Sequence, residues 1–218
     1  MSVFNGYDSH VEVYTRANEK QIFQIVSAAM IKNRKKKVDN YSKTSIVLHW
    51  LLAGLIFIQL SIGLDMVGIP KGLDGKRAFW FTLHKSLGIC IAALVVYRLL
   101  WRVRNGVPEP LNSMRPWEHL LSSTNHFLLY FCMILMPLSG ILGSLFSNYP
   151  LNFFGVPLPK LIDHNILIKE LLSQVHQVTS YLFIFLILIH VLAALKHLFI
   201  DCDGVFGRMM FKIKSKRQ

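Results

Sequence analysis

Four apolar stretches, each long enough to cross a bilayer as a helix, decide what this chain can fold into: about Ser45 to Leu64, Phe79 to Trp101, Leu120 to Phe146 and Leu171 to Ile200. A crossing helix needs about 20 mostly apolar residues, because no water reaches its backbone groups in hydrocarbon. The connectors "VGIPKGLDGK", "NGVPEPLNSMRP" and "SNYPLNFFGVPLPK" are dense in Pro, Gly and Asn, which end helices and make turns. The expected fold is an all-α integral membrane protein, a four-transmembrane-helix bundle embedded in a lipid bilayer. No internal repeat is visible. Pro137, with Gly140 and Gly143 after it, marks a kink or a close helix contact in the third span.

A formal charge of +12 raises the question of nucleic acid. The distribution excludes it, since the basic residues sit in short blocks between apolar runs and form no basic and aromatic face. They instead give orientation. Of the 24 Lys and Arg, only Lys71, Lys76, Arg77, Lys85, Lys160 and Lys169 fall on one side of the membrane; all the others, Arg98, Arg102, Arg104, Arg115 and Lys196 among them, fall on the other. Both termini are therefore expected in the cytoplasm. The chain divides into a basic cytoplasmic N-terminal extension (1–44), a membrane domain (45–200) and a basic cytoplasmic tail (201–218). The extension contains "IFQIVSAAMI", too short to span, and ends near "KNRKKK".

Cys90, Cys132 and Cys202 form no C-x-x-C and no C-x-x-C-H, which argues against a disulfide framework, a cysteine zinc site and covalent haem attachment.

The histidines carry the chemistry. Polar groups inside a span are expensive and are functional by default. At 1.5 Å per residue, His49 lies about 6 Å and His190 about 15 Å from the inner surface, while His84 and His176 both lie about 6 to 8 Å from the outer one. His176 and His190 are fourteen residues apart, within about 40° of one helix face. One helix thus offers an imidazole at each depth, with a partner from another helix at each. Facing histidines on separate helices suit axial ligation of a planar iron porphyrin, whereas zinc needs three or four converging ligands and no Cys, Asp or Glu joins either pair. Ala53, Gly88, Ser180 and Ala194, each four residues after one of these histidines, leave room beside a flat ring. His126 is the alternative inner ligand. His197, seven residues past His190, can meet a propionate or a quinone head group, as can Lys196. His10, His119 and His164 read as interface or loop residues.

"YSKTSIVLHW", "LHKSLGI", "HFLLYFCMILMPLSG" and "VHQVTSYLFIFLILIHVLAALKHLF", in this order and at these depths, resemble the bacterial cytochrome b561 family, and in particular its short four-helix members that include superoxide oxidases. The likeness covers about Tyr41 to Phe211. It implies two non-covalent haem b groups, with His49 and His190 on the inner iron and His84 and His176 on the outer one. It further implies an oxidoreductase of the bacterial inner membrane that takes electrons from superoxide and reduces ubiquinone, or a cytochrome b subunit relaying electrons from a hydrogenase or dehydrogenase partner. Bis-histidine iron has no open position, so transfer is outer-sphere. Superoxide is an anion, and Lys71, Lys76, Arg77 and Lys85 are placed to steer it. Arg98, fourteen residues after His84, falls at the depth of the inner haem, where its fork suits a propionate; the alternative is snorkelling to the cytoplasmic surface with Arg102 and Arg104.

Overall fold

The computed structural model describes residues 40–70, 75–109, 111 and 113–211. The N-terminal extension, His10, Lys71 and the last seven residues of the tail lie outside the described residues. Four long helices fill the chain: α1 (Lys43–Val67), α2 (Lys76–Asn105), α3 (Pro116–Leu145) and α4 (Ile166–Lys196). All four are long and apolar enough to cross a membrane, the last continuing to Asp201. Each begins before the apolar stretch that marks it in the sequence, because its start is set by caps and turns rather than by hydropathy.

The Ser42 hydroxyl accepts from the Ser45 N–H at 3.2 Å and starts α1, and Asn165 Oδ1 accepts from the Ile168 N–H at 3.1 Å and starts α4. Pro116 opens α3, where its missing N–H is not needed. Gly106, at φ 73°, ends α2. Beyond α4 a π-helical turn (His197–Asp201) leads through Cys202, at φ 50°, to a short 3-10 turn (Phe206–Met209).

The third connector contains a feature that its composition does not signal, an antiparallel pair of two-residue strands, β1 (Asn152–Phe153) and β2 (Val156–Pro157). Phe154 (φ 47°) and Gly155 (φ 91°) make the two-residue turn, with both central residues left-handed as such hairpins require. The hairpin is tied to α2: Ser86, fully buried, accepts from the Phe154 N–H at 2.8 Å and donates to the Thr82 carbonyl at 2.7 Å.

The close helix contacts run α1 to α2, α2 to α3 and, most extensively, α3 to α4. Leu52, Ile91 and Val95 are buried between α1 and α2, and Cys132, Phe183 and Leu186 between α3 and α4; Ile56 and Met133 touch both groups. Cys132 is the small core residue its apolar surroundings suggest. Large apolar side chains point outward all along the bundle, Phe57 at 74% exposure and Val178 at 68%, as expected where the solvent is lipid.

The helix ends that gather Lys43, Arg102, Arg104, Arg115 and Lys196 are called the basic end below, and the opposite ends, with the β-turn, the hairpin end. At the basic end Glu118 ties two helices together. One carboxylate oxygen accepts from the Arg115 N–H at 3.0 Å, and the other takes the Lys196 ammonium at 2.8 Å.

Candidate functional site

Histidines form two layers, one on each side of the mid-depth apolar core. Toward the basic end, His49 of α1 and His190 of α4 face each other with ring centroids 6.1 Å apart and planes at 68°. Toward the hairpin end, His84 of α2 and His176 of α4 face each other at 6.2 Å and 81°. The four histidines that the sequence singles out are thus brought together in the two pairs expected, although their nominal depths differ within the basic-end pair.

The spacing has chemical content. A first-row metal binds an imidazole nitrogen at about 2 Å. In a five-membered ring of bonds near 1.35 Å that nitrogen lies about 1.15 Å from the centre. One ion between two rings then sets their centroids about 6.3 Å apart, and both pairs meet this within 0.2 Å. His126 does not. Its ring centroid is 5.2 Å from that of His190, about 1 Å too close to share an ion, and the two rings are in direct edge contact. His126 Nδ1 donates to the Ser122 carbonyl one turn earlier at 2.7 Å.

Around the basic-end pair stand polar groups from three helices. Arg98 of α2 is held in this layer: its guanidinium donates to the Ser45 carbonyl at 3.3 Å and the Tyr130 hydroxyl at 3.4 Å, and Nη2 lies 3.3 Å from His49 Nδ1. It does not snorkel to the surface. Arg102 instead stacks over the Tyr130 ring, 5.3 Å from its centroid. A small cleft beside the layer is lined by Tyr41, Ser45, Arg98, Arg102, Tyr130 and Met209.

The hairpin-end pair is enclosed differently. His176 Nδ1 donates to the Met136 carbonyl of α3 at 3.0 Å and lies 3.2 Å from the Ser139 hydroxyl, which itself donates to the Leu135 carbonyl at 2.7 Å. His84 Nδ1 is buried without a hydrogen-bond partner. The rings rest on glycines of neighbouring helices, Gly63 for His84 and Gly140 for His176. Of the small residues four positions after the histidines, Gly88 faces the Gln59 amide, and the Ser180 hydroxyl donates to the Gln177 carbonyl at 2.7 Å.

Other candidates have settled partners. Lys196 pairs with Glu118 and, at 2.5 Å, with Asp201. His197 is 8% exposed, with Nδ1 2.8 Å from Asp203 and 3.2 Å from Asp201. Sequence reading missed these carboxylates because they follow α4 in a turn whose path the helical period does not fix. Arg77 donates to the Ile69 carbonyl and lies 4.6 Å over the Phe81 ring. Lys76 is exposed and Lys85 half-buried on the first turns of α2. His119 and His164 are exposed, as expected.

Residues 40–212 match the family model described as prokaryotic cytochrome b561. The chain belongs to that family. It is 32% identical over 178 residues to cytochrome b561 homolog 2 of Escherichia coli K12, covering 81% of this chain and 94% of the relative. With cytochrome b561 homolog 1 of the same organism it shares 30% over 175 residues, 79% and 98% of the two chains. With the probable superoxide oxidase CybB of Yersinia pestis it shares 28% over 172 residues, 79% and 96%. Membership makes this a multi-pass protein of the bacterial membrane, in a family that binds haem b and transfers electrons.

Proposed function

We propose that this protein is a di-haem cytochrome of the bacterial inner membrane that oxidises superoxide at its periplasmic side and reduces ubiquinone. The observation that carries the reading is the ring spacing: two histidine pairs, on separate helices and at two depths, each with ring centroids at the separation that one iron ligated by both would give. His84 and His176 hold the periplasmic haem, and His49 and His190 the cytoplasmic one. The haems supply one-electron, outer-sphere relay across the bilayer.

The chain's own residues do the rest. Its basic end takes the cytoplasmic side, with both termini, because the Lys and Arg excess lies there. At the periplasmic end Lys76, Lys85 and Arg77, with Lys71, attract the superoxide anion. Two superoxides give two electrons and two dioxygen molecules, and ubiquinone takes those electrons with two protons to become quinol. Lys196 and His197 stand on the quinone side of this scheme, where His197, Asp201 and Asp203 provide groups that can pass protons. Arg98 is near enough to the cytoplasmic pair to take a propionate in its fork.

The test has two stages. Purified protein should show a b-type spectrum with two haems per chain, and superoxide decay followed by stopped flow should accelerate when ubiquinone is supplied. A colourless preparation rules out the cytochrome reading. A two-haem protein inert toward superoxide rules out the donor and points to a subunit that receives its electrons from a dehydrogenase or hydrogenase.

A further inference from the structure

In an α-helix the carbonyl of residue i already accepts from the N–H of residue i+4, and the side chain at i+4 leans back toward that carbonyl. A glycine at i+4 leaves the carbonyl bare, so a second donor can reach it from a neighbouring helix. This bundle uses the arrangement in both of its helix pairs. On α3, Gly140 bares the Met136 carbonyl, and His176 Nδ1 of α4 donates to it at 3.0 Å. On α2, Gly88 bares the His84 carbonyl, and the Gln59 amide of α1 donates to it at 2.8 Å. A Cβ on either glycine would stand 3.3 Å from the incoming nitrogen.

Gly63 on α1 repeats the pattern toward the remaining ring. A Cβ there would lie 3.1 Å from His84 Cε1 and 3.6 Å from His84 Nδ1; at Gly140 it would lie 3.1 Å from His176 Cε1. The carbonyl one turn before Gly63 is that of Gln59, and His84 Nδ1 is a buried ring nitrogen that makes no hydrogen bond.

We propose that Gly63 and Gly140 are positioning residues for the hairpin-end haem: each seats one axial histidine of the neighbouring helix, Gly140 holding His176 Nδ1–H on a bared backbone carbonyl and Gly63 keeping the same approach open to His84 Nδ1, so that Nε2 is left for iron. This rests on the reading of His84 and His176 as ligands. A histidine that ligates through one nitrogen while donating from the other is fixed in tautomer and orientation, and its ligating nitrogen becomes more basic. Neither member of the basic-end pair rests on a glycine, since no Cβ built on a described glycine meets His49 or His190.

The test is Gly63→Ala and Gly140→Ala in the full-length protein, with two controls on the same helices. Gly54→Ala points into open space, and at Gly143 the nearest atom is Leu172 Cβ, at an ordinary 3.5 Å. Redox titration and low-temperature EPR read each haem separately, without reference to turnover. In each seat variant one haem should change, through a more positive midpoint potential and a shifted low-spin signal, or through its loss, which lowers haem content by about half. The other haem and both controls should match the wild type. Seat variants identical to wild type would overturn the proposal, and so would the joint loss of both haems, which would make the glycines part of the bundle and not of the ligands. A wild-type chain with no b-type spectrum would remove the haem reading itself, and the seats with it.

Discussion

Arg98 of α2 and His49 of α1 meet through a 3.3 Å contact between guanidinium Nη2 and ring Nδ1. A guanidinium only donates, so Nδ1 accepts in this contact; iron at Nε2 of this ring would put the ring proton on Nδ1 and release the guanidinium to a propionate. In the other layer His176 Nδ1 has the opposite role and donates to a backbone carbonyl. The two layers are therefore built on different principles, one around a charge and one around backbone carbonyls.

From this contact follows a prediction for Arg98→Leu. If each histidine pair holds a haem, removing a positive charge beside the basic-end one favours ferric iron, so its midpoint potential should fall and the other should hold. A charge about 6 Å away at an effective dielectric near 20 acts with about 3 kcal/mol before screening. At about 59 mV per tenfold change in the equilibrium for one electron, the shift is expected in the range of about 50–100 mV. Spectroelectrochemical titration checks both size and selectivity. Equal shifts in the two haems would separate Arg98 from His49.

The ring spacings predict which histidines hold iron. His84→Ala and His176→Ala should each retain only the basic-end haem, and His49→Ala and His190→Ala only the other. His126→Ala should keep both, because a 5.2 Å ring contact leaves no room for an axial iron. Pyridine haemochrome content per chain, with EPR to name the survivor, decides it; a His126 variant lacking a haem would contradict the assignment.

Ser86 predicts how firmly the hairpin is held. Ser86→Ala deprives the Phe154 N–H of its acceptor, and losing that part-buried bond costs about 0.5–1.5 kcal/mol. Limited proteolysis in detergent should cut within 147–165 faster in the variant, with spectra of both haems unchanged. Unaltered cleavage would show that Leu151 and Phe153 packing alone fixes the turn.

If superoxide is the donor, its capture should depend on charge at the hairpin end. The rate should fall as ionic strength rises past the point where the screening length is about 10 Å. Lys76→Glu together with Lys85→Gln should lower it several-fold at low salt, on the scale of electrostatic steering. Arg77 is already engaged with the Ile69 carbonyl and Phe81, so Arg77→Gln should matter less. A rate indifferent to both salt and these variants would count against the anion as substrate.

The pairing of the helical histidines was legible in sequence because depth in a membrane follows from residue count. His49, His84, His176 and His190 fell into two layers from the 1.5 Å rise and the charge bias alone. Arg98 was placed at its layer by the same counting. What surrounds each ring was not legible. The residues that touch the hairpin-end rings, Gly63 and Gly140, belong to the helices alongside, and no helical period of the histidine's own segment points to them.

The sequence by itself therefore determined four apolar helices, the Pro-, Gly- and Asn-rich connectors between them, and the depth of each imidazole, since all of these depend on local composition and on the geometry of one helix. The tertiary structure decided which nitrogen of His176 faces a carbonyl, that His126 lies against His190 too closely to share an ion, and that Asp201 and Asp203 return to His197. Those relations depend on how helices rotate and approach one another. Rotation is fixed by many small contacts such as Leu52 on Val95 and Cys132 on Phe183, whose sum no single helix's sequence contains.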